Sequence, residues 1–319
     1  MPIKILNVEP RGYSDEARKI LSRAGTVIEC ECSRAELKMA IRDAHVLILR
    51  FGHRIDGEIL AQAKELKIIA VAATGVDHID VEEAHRRGIT VVSLKGERKF
   101  LDSIYATAEL TWGLILAAVR HIPSAAAAVQ EGRWQRDPFQ GNELFGKTLG
   151  IVGYGRIGQK VARYALAFGM KVKVYDPYVP VTDRRIKNVS SLLSLVSGVD
   201  ILTIHVPLTK ETTGLVNRSV FKRLRKGAFL VNTARGAVIE EDALLAALAQ
   251  GQLGGAALDV VCQEHQPALL KKSKILAYAR KHPNLLITPH IGGITRESWE
   301  KTEIFIARKI IRVIKKLAE

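Results

Sequence analysis

Residues 148–178 read TLGIVGYGRIGQKVARYALAFGMKVKVYDPY. The apolar run Lys147–Val152 leads into Gly153, Gly155 and Gly158 and then into a helical pattern. In that setting the spacing G-x-G-x-x-G has a mechanical meaning. The first glycine permits the tight turn, the second lets backbone N–H groups approach a pyrophosphate, and the third lets helix and strand pack closely. The helix N-terminus adds unpaired N–H donors and the positive end of its dipole. Eighteen residues after Gly158, Asp176 closes the next strand, Lys171–Tyr175. That is near the ~20-residue offset of a carboxylate that accepts the adenosine ribose hydroxyls. It would repel a 2′-phosphate, so the pattern predicts NAD rather than NADP.

Outward from this turn, short β-rich runs alternate with helical stretches in both directions. Before it lie Ile3–Val8, Thr26–Cys30, Val46–Leu49, Leu66–Ala72 and Ile89–Leu94, with a helix over Ser14–Ala24. Strands spaced by helices make parallel sheets with right-handed crossovers. Ala106–Val119 is helical in composition, residues 132–146 are loop-rich, and strand and helix then alternate up to Leu285–Thr288. Arg296–Leu317 places Ile304, Ile310, Ile311, Ile314 and Leu317 on one helical face and most of its cations on the other, a docking helix with a solvated side. At 319 residues the chain exceeds one ordinary core, so two domains are expected.

Composition narrows the class. With 47% hydrophobic and 25% charged residues the chain is an ordinary globular protein rather than a disordered one. The longest apolar candidate, Leu110–Val119, is too short to span a bilayer, and the N-terminus with Lys4 and Glu9 does not read as a signal peptide, so a cytoplasmic location is expected. Cys30, Cys32 and Cys262 make no disulfide framework, and a C-x-C lacks the second ligand pair a zinc site needs, so no metal is expected. The formal charge is +15, but residues 1–100 carry only +2 and residues 101–290 carry +10. Recognised nucleic-acid motifs are missing, and the clusters Lys222-Arg223-Arg225-Lys226 and Lys271-Lys272-Lys274 fall on helical surfaces. The excess therefore suits attraction of a dinucleotide and a small anionic substrate better than a nucleic-acid or membrane partner.

Ligands of open parallel sheets bind beyond the carboxyl ends of the strands. Four such ends follow the glycine turn: His205-Val206-Pro207, Asn232 to Gly236, Asp259, and Pro289 to Gly293. Reduction of an acidic carbonyl compound needs a cation for the carboxylate and a proton donor beside the carbonyl oxygen. Arg235 fits the first role, because a guanidinium binds a carboxylate bidentately. His290 fits the second, and Glu264 is placed to hold its imidazole.

Several stretches together resemble the D-isomer-specific 2-hydroxyacid dehydrogenases. They are ATGVDHID (73–80), GKTLGIVGYGRIGQKVA (146–162), HVPLTKETTGLVN (205–217), FLVNTARGAVIEEDALLAAL (229–248), GGAALDV (254–260) and ITPHIGG (287–293). The resemblance implies two doubly wound α/β domains. One is a flavodoxin-like substrate domain of residues 1–101 and 290–319; the other is a Rossmann NAD-binding domain of residues 102–289, with hinges near 100 and 290 and the substrate cleft between them. It implies that Arg235, Glu264 and His290 are catalytic. Thr107, Gly153, Gly155, Arg156, Ile157, Gly158, Asp176, His205, Val206, Pro207, Thr212, Thr233, Ala234, Asp259, Gly292 and Gly293 would contact the cofactor together with Arg235 and His290. Arg50, Thr74, Gly75 and Val76 would join Arg235 and His290 on the substrate, a small 2-oxo or 2-hydroxy acid, and the segment 102–146 would build a homodimer.

The chain also departs from the family. His265-Gln266 stand between Glu264 and Pro267, where a proline usually follows the glutamate directly. The hinge stretch SLKGERKFLDSIYATAEL (93–110) lacks the common Asn/Pro-containing lead-in, and His53 stands where small hydroxyl residues are frequent. No regulatory domain like that of the longer phosphoglycerate dehydrogenases is expected after the last helix. A rival function on the same fold is NAD sensing by a corepressor-like binding protein.

Overall fold

The computed structural model describes residues 2–318. It divides into two compact units, one running through Ile104 and resuming at Ile294, the other Tyr105–Gly293.

In the first unit, β1 (Ile3–Asn7), β2 (Gly25–Glu29), β3 (Val46–Leu49), β4 (Ile68–Val71) and β5 (Thr90–Val92) form a parallel sheet in the order 2-1-3-4-5. This is the flavodoxin-like winding. Its strands are apolar on both faces, as a sheet covered on two sides requires. Ile5, Val46, Ile48, Ile68 and Ala70 face one core, while Leu6, Leu47, Leu49, Ile69 and Val71 face the other. Helix Asp15–Ser22 starts at Ser14, whose hydroxyl accepts the Ala17 N–H, and helix Arg34–Ala40 starts in a Ser33–Glu36 capping box. The final helix, Arg296–Ala318, buries Ile306, Ala307 and Ile310 against the first core. Leu317, expected on the same apolar face, is exposed.

One expectation is corrected here. Cys30 and Cys32, which follow β2, are joined by a disulfide with Cα atoms 5.4 Å apart. Side chains two apart on an extended segment point the same way, so the pair closes a bridge without any distant partner.

In the second unit, β6 (Thr148–Val152), β7 (Lys171–Tyr175), β8 (Ile186–Asn188), β9 (Ile201–Ile204), β10 (Ala228–Asn232), β11 (Leu253–Leu258) and β12 (Leu285–Ile287) are all parallel, in the order 12-11-10-9-6-7-8. The winding reverses between β6 and β9, and that switch point is where a dinucleotide binds in such sheets. Helix Ala106–Val119 owes its apolar composition to burial, with Trp112, Leu114, Ile115 and Val119 in the core. Among the described residues no single helix is long and apolar enough to cross a membrane, and no group of three or more His, Cys, Asp or Glu is placed to hold a metal ion.

Candidate active site

The glycine turn closes tightly on its surroundings. Gly153 has φ +91°, and a Cβ there would stand 2.7 Å from the His205 carbonyl oxygen and 2.9 Å from Val206 Cγ1. A Cβ on Gly158 would lie 2.1 Å from the Gly153 carbonyl oxygen. Gly155 differs: it begins helix Arg156–Ala167 without a side-chain cap, and a Cβ there would meet nothing within 4 Å. Two glycines thus shape the turn, and the third leaves backbone at a helix N-terminus open to an anion. Asp176 braces the same turn from β7. One carboxylate oxygen accepts the Tyr154 N–H at 2.7 Å, and the other accepts those of Tyr178 and Val179 at 2.8 and 3.0 Å. An ionised carboxylate has about four acceptor sites, so this bracing leaves capacity for ribose hydroxyls. The residues present fit a dinucleotide.

At the end of β10, Asn232 is fully buried. Its amide donates to the Arg235 carbonyl oxygen at 2.9 Å and its side-chain oxygen accepts the Ala234 N–H at 2.9 Å. The turn that carries Arg235 is therefore tied at both ends by one side chain. Arg235 Nη1 donates to its neighbour's carbonyl, Ala234 O, at 2.7 Å. Gly236 is a close-approach position: a Cβ there would sit 2.2 Å from the Val261 carbonyl carbon. This contact seats the Arg235 turn against the segment that leads to Glu264.

His290 follows β12 in the left-handed conformation, φ +54°. Asp259, 1% exposed at the end of β11, holds that loop. Its carboxylate accepts the Thr288 hydroxyl at 2.6 Å, the Ile291 N–H at 2.8 Å and the Gly292 N–H at 2.7 Å. Burial raises the Asp259 carboxyl above its ordinary value, and these donors offset only part of the rise. Gly292 has no room for a side chain, since a Cβ would be 2.9 Å from Asp259 Oδ2 and 3.3 Å from Thr107 Cγ2. His290 Nδ1 then lies 2.7 Å from Glu264 Oε1, and His265 Nε2 lies 3.6 Å from the same oxygen. The two residues inserted before Pro267 do not displace Glu264 from the imidazole. Gln263, at φ +59°, supplies the backbone reversal before it, and the adjacent Cys262 N–H is anchored on Glu241 Oε1 at 2.7 Å. Burial and Glu241 push the Cys262 thiol up to about 12, which leaves it no thiolate at neutral pH.

The remaining predicted cofactor residues lie in the same unit. The Thr111 hydroxyl donates to the Thr107 backbone carbonyl at 2.7 Å and lies 2.7 Å from the Thr233 hydroxyl, deep in the core. Thr111 was not singled out from sequence; a lone hydroxyl in the apolar run Leu110–Val119 was its only signal. The His205 ring pairs through Nε2 with Thr203 Oγ1 at 3.0 Å, and burial pushes its pKa down to about 3, so the ring is neutral. Thr212 donates to the Pro207 carbonyl oxygen at 2.7 Å and shapes the loop after β9. Ile157 and Ala234 pack against the cores beneath, Arg156 opens its helix, and Gly293 has open space at its Cβ position.

Arg50, Thr74, Gly75 and Val76 belong to the first unit, past the carboxyl ends of β3 and β4. Thr74 is exposed, Gly75 half-buried, and Val76 packs against Leu6, Leu49 and their neighbours. Arg50 is drawn into a network of its own, with Glu9, Arg11 and Glu303.

Two parallel sheets of these orders, a glycine turn at the switch point and a carboxylate–imidazole pair at neighbouring strand ends define a dinucleotide-binding α/β protein. The chain belongs to the D-isomer-specific 2-hydroxyacid dehydrogenase family: residues 112–292 match the model described as "D-isomer specific 2-hydroxyacid dehydrogenase, NAD binding domain". It is 39% identical to D-3-phosphoglycerate dehydrogenase of Methanocaldococcus jannaschii over 99% of this chain, and spans only 59% of that protein's length. It is also 39% identical to hydroxypyruvate reductase of Thermotoga maritima over 87% of each chain. Among solved structures, D-lactate dehydrogenase from Aquifex aeolicus complexed with NAD and lactic acid aligns with a TM-score of 0.84 at 29% identity, covering 98% of this chain and 96% of that one.

Proposed function

We propose that this chain is an NAD-dependent D-2-hydroxyacid dehydrogenase that interconverts a small 2-oxo acid and its 2-hydroxy acid. The observation that carries the reading is the His290–Glu264 pair at 2.7 Å, on a loop fixed by Asp259. With Glu264 accepting the Nδ1–H, the imidazole's Nε2 is the nitrogen that would serve the substrate oxygen. In reduction it gives a proton to the carbonyl oxygen; in oxidation it takes one from the hydroxyl. Glu264 holds the imidazole in one orientation towards that oxygen. Arg235 grips the substrate carboxylate through its guanidinium fork. NAD(H), when bound, supplies or accepts the hydride at C2. The open backbone at Gly155 and the following helix N-terminus hold its pyrophosphate, and Asp176 holds its ribose.

The cofactor preference is separately measurable. The Asp176 carboxylate meets a ribose 2′-phosphate with like charge, so kcat/KM for NADH is expected to exceed that for NADPH by at least about tenfold, one 1.4 kcal/mol step. Steady-state rates with both cofactors at one 2-oxo acid decide it, and an NADPH preference would remove the role given to Asp176.

The same reading includes a homodimer built on the segment 102–146. Ile122, Val129, Trp134 and Phe145 are exposed there, an apolar set that a monomer rarely leaves in water. Light scattering on the eluting protein is expected to give twice the 35.1 kDa chain mass, and a monomer would reject the assembly.

A further inference from the structure

Helix Ala106–Val119 belongs wholly to the second unit, and Thr111 on its second turn is fully buried. Ala108, Trp112 and Ile115 of the same helix pack into the apolar core with Val231 and Ala257. The Thr111 hydroxyl donates to the Thr107 carbonyl oxygen at 2.7 Å, one helical turn back, and so has a partner within its own helix. It also stands 2.7 Å from the Thr233 hydroxyl, 122 residues further along the chain. Thr233 is buried and directly precedes Ala234 and Arg235. Asn232 ties the backbone of that turn at Ala234 and Arg235, and Thr111 ties it from a separate element.

The His290 loop rests on the same helix. Gly292, two residues past His290, lies against Thr107: a Cβ there would be 3.3 Å from Thr107 Cγ2. Thr107 and Thr111 are four residues apart, so they lie one above the other on one helix face. The loop that carries His290 and the turn that carries Arg235 are therefore backed by adjacent turns of one helix. Apolar packing is non-directional, whereas a hydrogen bond fixes a length and an angle. A pair of buried hydroxyls adds little net stability, since replacing both by apolar groups of the same shape is nearly neutral. We infer that Thr111 is a positioning residue, whose hydroxyl ties Thr233 to the helix behind Gly292 and so holds the Arg235 turn in register with the His290 loop. The inference rests on the dehydrogenase reading above and adds a residue to it.

The experiment compares the parent with Thr111→Val, Thr111→Ser and the double variant Thr111→Val/Thr233→Val. Initial rates are measured with NADH and glyoxylate, hydroxypyruvate or pyruvate, NADH affinity by fluorescence titration, and stability by thermal melting. Thr111→Val keeps the shape and deletes the hydroxyl, so a slightly misplaced Arg235 is expected to raise KM for the 2-oxo acid about tenfold, with kcat and NADH affinity within about threefold of the parent's. Thr111→Ser retains the oxygen and is expected to keep KM within about threefold of the parent's. The double variant removes both hydroxyls together, so it is expected to melt within about 4 °C of the parent and still show the raised KM. A KM for Thr111→Val within threefold of the parent's, or a rise that Thr111→Ser shares in full, overturns the inference. A double variant that does not fold assigns the pair to stability and overturns it as well. A parent inactive with all three acids overturns the dehydrogenase reading itself, and the positioning role with it.

Discussion

Replacing His290 by asparagine is expected to lower turnover of the best 2-oxo acid by about 10²–10⁴-fold, the usual contribution of a positioned acid–base group. NADH binding is expected to stay within a few-fold of the parent's. Asparagine is the appropriate replacement because His290 sits at φ +54°, a region that asparagine visits more readily than alanine does. The variant therefore separates loss of the proton donor from distortion of the loop. Stopped-flow reduction with saturating substrate measures the first, and NADH fluorescence titration measures the second. Turnover within about threefold of the parent would remove His290 from the chemistry.

Asp259→Ala is expected to cost stability as well as activity. The carboxylate satisfies two backbone N–H groups and one hydroxyl at a site that is 1% exposed. Each donor left without a partner there costs about 1–3 kcal/mol, while removal of the buried charge returns part of that cost. A net loss of about 3 kcal/mol is expected, which for a unit of this size lowers the melting temperature by roughly 6–12 °C. Turnover should fall with it, since the loop held by Asp259 is the one that presents His290. A melting temperature within about 2 °C of the parent's would show that the loop holds itself.

The parts of the fold that sequence made legible are those set by local rules. Periodicity located β3 and β7 to the residue, because both are bounded by turn and helix signals. The glycine turn was readable for the same reason: three glycines, each with a steric duty, stand in one short stretch. Arg235 and His290 are different. Their strand-end positions offered them as candidates, and the resemblance then set them apart from the chain's other arginines and histidines. Asp259 was legible as a polar strand end, yet its service as the brace of the His290 loop depends on partners 29 to 33 residues away. The Arg50–Glu303 pair spans 253 residues of sequence and leaves no local trace. Nor did the spacing of Cys30 and Cys32 announce a bond, because the C-x-C pattern was weighed only against metal ligation and multi-bridge scaffolds.

The two units also differ in how the ribosome delivers them. The second is one uninterrupted run, Tyr105–Gly293, and holds all its strands and helices as soon as it has been made. The first has its five strands early, but the helix that supplies Ile306, Ala307 and Ile310 to its core comes only after that run. At about 5–20 residues per second, translation leaves one face of the early sheet waiting roughly 10–40 seconds for its cover. Helix Asp15–Ser22 already covers part of that face with Ala17, Ile20 and Leu21, and the part that Ile306, Ala307 and Ile310 complete stays open in that interval. The half that begins later can thus be finished first, and the nascent chain's exposure to mispairing is concentrated in its earliest residues.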